Sequence, residues 1–330
     1  MKVLRGGGPR SMAARAVLPI DTKCNSRPAA LAHVVALDRQ GQTATTRSKQ
    51  RSDYQRKTMP NPSNPLLYLF RSMAKHRHLI AAMAKREVTS RYRSSFLGFT
   101  WAVLQPVFML AVYTFAFSEV LKGRWPGGTG SKAEFALVLF AGLLVFNVFS
   151  EVFNRSPELI LANTNYVKRV IFPLEILSVV SVISATFNLL INLVVWLIFY
   201  TVAIGNPHLT VLLFPIAILP MLIFLVGISW IFAAIGTYIR DLAHVTPIIT
   251  TAFMFLSPIF FPIEAIPERF RPILGLNPLA AIIKQVRDVL LWGRGIELWP
   301  YVWSLLTALL VLVLGFLFFQ RVRKGFADVL

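Results

Sequence analysis

The sequence predicts an all-α polytopic membrane protein: six transmembrane helices, an amphipathic interface helix before them, and re-entrant helices on the outer side. Three observations carry this. The 330 residues are 55% hydrophobic and only 15% charged, with a mean hydropathy of +0.61, against about 25% charged residues in a soluble domain. Six apolar stretches approach or exceed the ~20 residues needed to cross a bilayer. The segment Arg91 to Pro106, RYRSSFLGFTWAVLQP, joins a basic amphipathic stretch to an apolar span that holds a tryptophan, an amide and a proline. Arginine stays at the interface and tryptophan favours the headgroup level. A proline at membrane depth needs neighbouring helices to satisfy the carbonyl it frees, so this span is built to pack in a bundle.

Residues 1–65 differ from the rest. They carry twelve Lys/Arg against Asp21, Asp38 and Asp53, and hold no apolar run long enough for a signal-peptide core. Low hydrophobicity with net positive charge predicts a disordered basic extension, closed by Pro60, Pro62 and Pro65 as a linker. An arm on lipid headgroups, or a true start at Met59 or Met73, are the other readings. Residues 66–330 form the six-span domain. The formal charge of +19 does not indicate nucleic acid, because the basic residues gather beside apolar spans, where they orient the chain against anionic lipid. No nucleic-acid module is visible. The lone Cys24 excludes an intramolecular disulfide.

From 66 to 95 the pattern is helical. Ile80, Met83, Ala84, Val88 and Tyr92 recur every three to four residues and share one face, while Lys85, Arg86, Arg91 and Arg93 supply a basic side. A basic amphipathic helix at about 79–93, directly before a span, is expected in the interface plane; an ordinary soluble helix packed on a partner is the plainer alternative. The spans are expected at 97–121, 134–154, 171–204, 210–239, 244–261 and 299–320. The fifth is short and opens on Thr246-Pro247, which predicts tilt or partial unwinding. Segments assigned inside carry fourteen Lys/Arg and those outside carry eight, which places both termini in the cytoplasm.

Two connections stand out. The inside loop from Arg155 to Arg169 begins Arg-Ser-Pro-Glu, which predicts a short helix with Ser156 as N-cap, Pro157 at N1 and Glu158 in the first turn. Leu159, Ile160 and Leu161 give it an apolar surface. A capped helix between two spans suits contact with a soluble partner. The outer segment 262–298 is punctuated by Pro262, Pro267, Pro272 and Asn277-Pro278, yet contains Ile273-Leu274 and the run Leu279 to Ile283. These runs are too short to span and suit a re-entrant or interfacial helix pair over the outer mouth of a pathway.

No catalytic constellation is present. Gly127 to Lys132 fails the phosphate-loop spacing with no strand before it and reads as an outer turn. The carboxylates are not clustered for metal-dependent sugar transfer, no metal ligand set is recognisable, and the span centres lack the ionisable residues a proton-coupled carrier needs. Asn188 and Asn192, four apart, share a helix face. Interhelical hydrogen bonds worth ~0.6–2 kcal/mol each are the plainer reading, and a lumen-facing role is the other. Span one is rich in aromatics, including Phe108, Tyr113, Phe115 and Phe117. Most aromatics in such a chain pack or face lipid, while rings lining a pathway stack on sugar faces.

Three motifs together resemble one family. They are Arg91-Tyr92-Arg93-Ser94 with Leu97-Gly98, Trp101 and Pro106; Tyr166-Val167-Lys168-Arg169 through Phe172-Pro173-Leu174-Glu175-Ile176-Leu177; and Asn277-Pro278 before the last span. Residues 66–330 are similar to the membrane-spanning permease of polysaccharide and polyol-phosphate ABC exporters, which move lipid-linked O-antigen, capsule or teichoic acid. The resemblance implies a type-two ABC exporter permease fold in the inner membrane, and a homodimer around a central lumen. It also implies two copies of a separate ATPase, which would bind ATP and magnesium and leave this chain without a cofactor or an enzymatic activity of its own. By the same resemblance a coupling helix lies at about 155–168 (Arg155, Ser156, Pro157, Glu158, Leu159, Tyr166) and gate helices lie in 262–298. The resemblance further implies that Arg91, Tyr92 and Arg93 meet the pyrophosphate of an undecaprenyl-linked glycan, and that Trp101, Gln105, Phe108, Tyr113 and Phe117 are lumen candidates. An ion-coupled secondary transporter would need coupling-ion sites and repeat symmetry. A membrane enzyme on lipid-linked sugars would need an acid or base cluster, and a scaffold would need neither Gln105-Pro106 nor a gated outer segment.

Overall fold

Regular structure is helical throughout the residues described by the computed structural model, which are 65–93, 97–116, 125, 131–167, 172–263, 266–270 and 277–330. The expected basic extension, the turn Gly127–Gly130, Phe117, Lys168 and Arg169 lie outside the described residues, as does the side chain of Tyr92.

Helix α1 (Pro65–Lys75) and helix α2 (Arg77–Arg93) meet at His76, whose Nδ1 lies 2.8 Å from the Ser72 carbonyl. The apolar face read from the sequence is the one that packs. Ile80, Met83 and Ala84 are buried and cluster with Leu69, Leu174, Ile176 and Leu177, while Lys85 and Arg86 remain exposed. Between α2 and the first apolar helix the chain turns at Leu97–Phe99, where Gly98 has φ 50°. That left-handed conformation costs an L-residue about 1–2 kcal/mol, which accounts for a glycine beside the basic helix.

Helix α3 (Thr100–Thr114) contains Pro106, which is buried and lacks the N–H that would bond the Ala102 carbonyl. Helix α4 (Lys132–Arg155) is buried without interruption from Glu134 to Phe146; an apolar helix enclosed all round is a central one. A 3-10 turn at Ser156–Glu158 continues it, followed by a second at Leu161–Asn163 and the short α5 (Thr164–Val167). Helices α6 (Ile176–Ala203), α7 (Phe214–Tyr238), α8 (Leu242–Leu256), α9 (Pro278–Leu290), α10 (Leu298–Val322) and α11 (Phe326–Val329) complete the chain. Helices α7 and α10 touch backbone to backbone. A Cβ at Gly227 would fall 2.6 Å from the Val311 carbonyl oxygen, the small-residue contact by which spans approach closely.

Among the described residues, α4, α6, α7 and α10, with their 3-10 extensions, are long and apolar enough to cross a membrane. They occupy the expected second, third, fourth and sixth spans. The first and fifth are represented by α3 and α8, of 15 residues each. At 1.5 Å per residue each is about 22 Å long, against a hydrocarbon core of ~30 Å. The fifth stretch leaves the helix at Ser257, which is extended (φ −99°, ψ 147°). Helix α9 is too short to cross; it buries Leu279, Ile282, Ile283, Val286 and Val289 against the main core. Its start follows from Asn277-Pro278. The Asn277 side chain accepts from the Leu279 N–H at 2.9 Å, and proline takes a position whose N–H would have no helical partner.

Candidate functional site

The connection Arg155–Val167 is a compact ledge at one end of α4 rather than a free-standing capped helix. Ser156 does not cap. Its hydroxyl donates back to the Val152 carbonyl at 2.5 Å, so α4 runs on into the 3-10 turn. Pro157 is the reason the α-helix stops there, since it offers no N–H and crowds the preceding turn. Pro157 is buried beneath Gly236 of α7, where any Cβ would collide with the Pro157 backbone. Leu159 and Ile160 are buried with Trp230 and Ala234 of α7. Asn163 donates to the Leu159 carbonyl at 2.8 Å and closes the second turn.

The opposite side of the ledge faces outward. Glu158, Ala162 and Asn165 are exposed. Tyr166, half-buried, is stacked on Phe172 with ring centres 4.5 Å apart, and the Arg86 guanidinium of α2 lies 5.9 Å from its centre. The YVKR…FPLEIL motif thus places its first aromatic against its second, and both next to the interface helix.

An ion-pair network joins the ledge to α2. Arg155 pairs with Glu87, while Arg91 pairs with Glu151 and lies 3.9 Å from Glu87. Asn188 of α6 donates to the other Glu151 oxygen at 2.9 Å. Thr250 of α8 donates to Asn154 at 2.7 Å. Four helices therefore meet at the Arg155 end of α4. Asn188 makes the interhelical bond that was the plainer sequence reading, whereas Asn192 donates locally to the Asn188 carbonyl. A second cluster lies beside the first. Buried Glu175 accepts from Ser72 at 3.2 Å and from Arg323 at 2.8 Å, and its carbonyl accepts from Trp230 Nε1 at 2.9 Å.

Of the three headgroup candidates, Arg91 is engaged by carboxylates and Arg93 is exposed at the end of α2. Of the lumen candidates, Trp101, Gln105 and Phe108 form one exposed stripe along α3, continued by Val112. Tyr113 lies off this stripe and packs against the core, with Leu110 buried beside it. Glu87 was missed in the sequence although it carried a signal: it is the sole acid between residues 66 and 96, in a stretch with seven Lys/Arg. An unmatched acid in a basic helix marks a specific partner.

The sequence also has relatives among known proteins. Residues 78–291 match the family described as ABC-2 type transporter. The chain is 27% identical over 266 residues to an O-antigen export system permease protein RfbA of Myxococcus xanthus, covering 80% of this chain and 99% of that protein. An RfbA of Klebsiella pneumoniae is 27% identical over 254 residues, 76% of this chain and 95% of the relative. A polysialic acid transport protein KpsM of Escherichia coli is 28% identical over 221 residues, 65% of this chain and 81% of the relative.

Proposed function

The chain belongs to the ABC-2 type transporter family, and on that premise we propose that it is the permease subunit of an ATP-driven exporter. Its cargo is lipid-linked polysaccharide of the O-antigen, capsule or teichoic-acid kind, carried across the cytoplasmic membrane. The O-antigen and polysialic acid relatives support the cargo class. The observation that carries the mechanism is the ledge at Arg155–Val167, wedged under α7 on one side and presenting Glu158, Ala162 and Asn165 on the other.

In this reading two copies of the chain enclose a lumen, and two copies of a separate ATPase dock on the outward faces of the two ledges. The partner holds ATP and magnesium. Its closure pushes the ledge against α7 through Pro157 and Gly236, and against α2 through Arg155 and Glu87. Helices α3 and α8 complete six crossings, both termini lie in the cytoplasm, and residues 262–298, with α9, form the outer gate. The pyrophosphate of the undecaprenyl-linked glycan approaches Arg93, with Tyr92 between the two arginines in sequence, and displaces Glu151 from Arg91, because Glu151 gives Arg91 one oxygen while Asn188 holds the other, whereas a phosphate can engage the guanidinium with two. The exposed stripe of Trp101, Gln105 and Phe108 faces the polymer, where rings stack on sugar faces.

Deleting the gene from a polymer-bearing host tests this. The reading expects surface polymer to disappear while undecaprenyl-linked glycan accumulates on the cytoplasmic side. Normal surface polymer in the deletion strain would overturn it.

A further inference from the structure

We infer that Arg287 is the residue that positions the outer helix α9 over the pathway, and that α4 carries the movement of the ledge to it. What the pathway conducts rests on the exporter reading; the clamp itself rests on geometry.

Arg287 is 5% exposed although it lies in a short outer segment rich in charge. Each of its nitrogen groups donates to a different carbonyl. Nε reaches Val138 of α4 at 3.0 Å, Nη1 reaches Pro258 at 2.5 Å, and Nη2 reaches Ile259 at 2.8 Å. The Trp125 ring lies 4.5 Å from the guanidinium carbon. Gly142, one turn along α4 from Val138, leaves the space: a Cβ there would fall 2.7 Å from Nη2. Asn277, at the other end of α9, donates to the Leu256 carbonyl at 3.2 Å and to the Ser257 hydroxyl at 2.9 Å. Both ends of α9 thus grip the exit of α8, where a helix leaves carbonyls that attract a cation. Burial pushes the guanidinium pKa down to about 9, so the group is still a cation at neutral pH.

A buried cation on three carbonyls, one from α4 and two from the stretch after α8, is an expensive way to stabilise a fold. It is a good way to give α9 one sharply defined position, since withdrawal breaks all three bonds together. The clamp sits at the opposite end of α4 from the ledge. Val138 and Arg155 are 17 residues apart, about 25 Å along one helix. A push at Arg155 therefore moves the Val138 carbonyl and Gly142 relative to Arg287, and a guanidinium fork tolerates little displacement before its bonds fail.

The test uses the full chain in cells, with Cys24→Ser and Ala280→Cys, the latter a buried position on α9. A membrane-impermeant maleimide is added outside. Gly142→Ala, which displaces one arm of the fork, and Arg287→Lys, which keeps the charge but not the fork, are each expected to speed labelling about tenfold or more. Val202→Ala, at a highly exposed position on α6, is expected to leave the rate unchanged. Unchanged labelling in both clamp variants would overturn the proposal. So would an equal rise at Ser184→Cys, a buried position on α6 that only general loosening would expose. Glycan-stimulated ATP turnover, measured in vesicles from the same cells, separates the two ideas. Faster labelling with glycan-independent turnover keeps the clamp and removes the exporter reading; protected labelling with glycan-dependent turnover does the reverse.

Discussion

Gly236→Ala is the most informative single methyl group that can be added to this chain. A Cβ at that position would lie 2.6 Å from Pro157 Cα, 2.7 Å from its carbonyl carbon and nearer still to its oxygen. All three are backbone atoms, so no side-chain rotation relieves the clash. Ordinary contact begins at 3.4 Å, and the ledge must retreat from α7 by about 0.8 Å or more. Overpacking of this kind costs about 1–3 kcal/mol. If the Pro157 contact transmits the partner's stroke, an energy of that size taken from coupling lowers export about 5- to 150-fold. The change leaves the buried apolar face of α7 intact, so the variant is expected to insert and, in the exporter reading, to bind the ATPase. The assay is glycan-stimulated against basal ATP turnover in reconstituted vesicles, with Val202→Ala, at an exposed position on α6, as the control. Basal turnover is expected to persist while the stimulated part falls. Full stimulation in Gly236→Ala would refute transmission through Pro157.

Three further outcomes follow from other contacts. Arg155→Glu places like charges at Glu87 and is expected to lower export about two- to fivefold, the worth of a partly exposed pair; adding Glu87→Lys should recover most of the loss in the same transport assay. Asp288 supplies a pH dependence. Burial raises its carboxyl above the ordinary 3.8, against the pull of the Lys284 ammonium. A raised folded pKa gives stability that is fully present below 3.8 and lost as pH rises through the folded value. Asp288→Asn, which does not titrate, is therefore expected to gain thermal stability relative to the native chain as pH rises from about 4 to 7, and a relative loss would contradict the assignment. Gly98→Ala forces φ 50° on an L-residue and should cost about 1 kcal/mol, read as a lower melting temperature.

What the sequence made legible was what local periodicity and composition encode. Apolar length placed α4, α6, α7 and α10 within a few residues of their ends, and the three- to four-residue spacing of Ile80, Met83 and Ala84 identified the buried face of α2. The apolar run Leu279 to Ile283, too short to span, lies within α9. What stayed hidden needed neighbours distant along the chain. Glu87 meets Arg155 68 positions away, and Arg287 meets Val138 149 positions away, so neither pairing leaves a periodic trace. Arg287 counted among the outside charges of the sequence, yet it is buried, because three carbonyls and Trp125 compensate for the water it loses. Ser156 had the residue type and spacing of an N-cap. Its hydroxyl turned back to Val152 because α4 continues through it instead of restarting. The candidate site was legible in its location, the ledge after α4 and the basic end of α2, but not in its wiring.

The most direct test of the account is ATP turnover of this chain purified with its nucleotide-binding partner, with and without a lipid-linked glycan. Stable co-purification and turnover that rises with glycan are the predicted result. A chain that binds no ATPase, or a complex whose turnover ignores the glycan, would contradict the account.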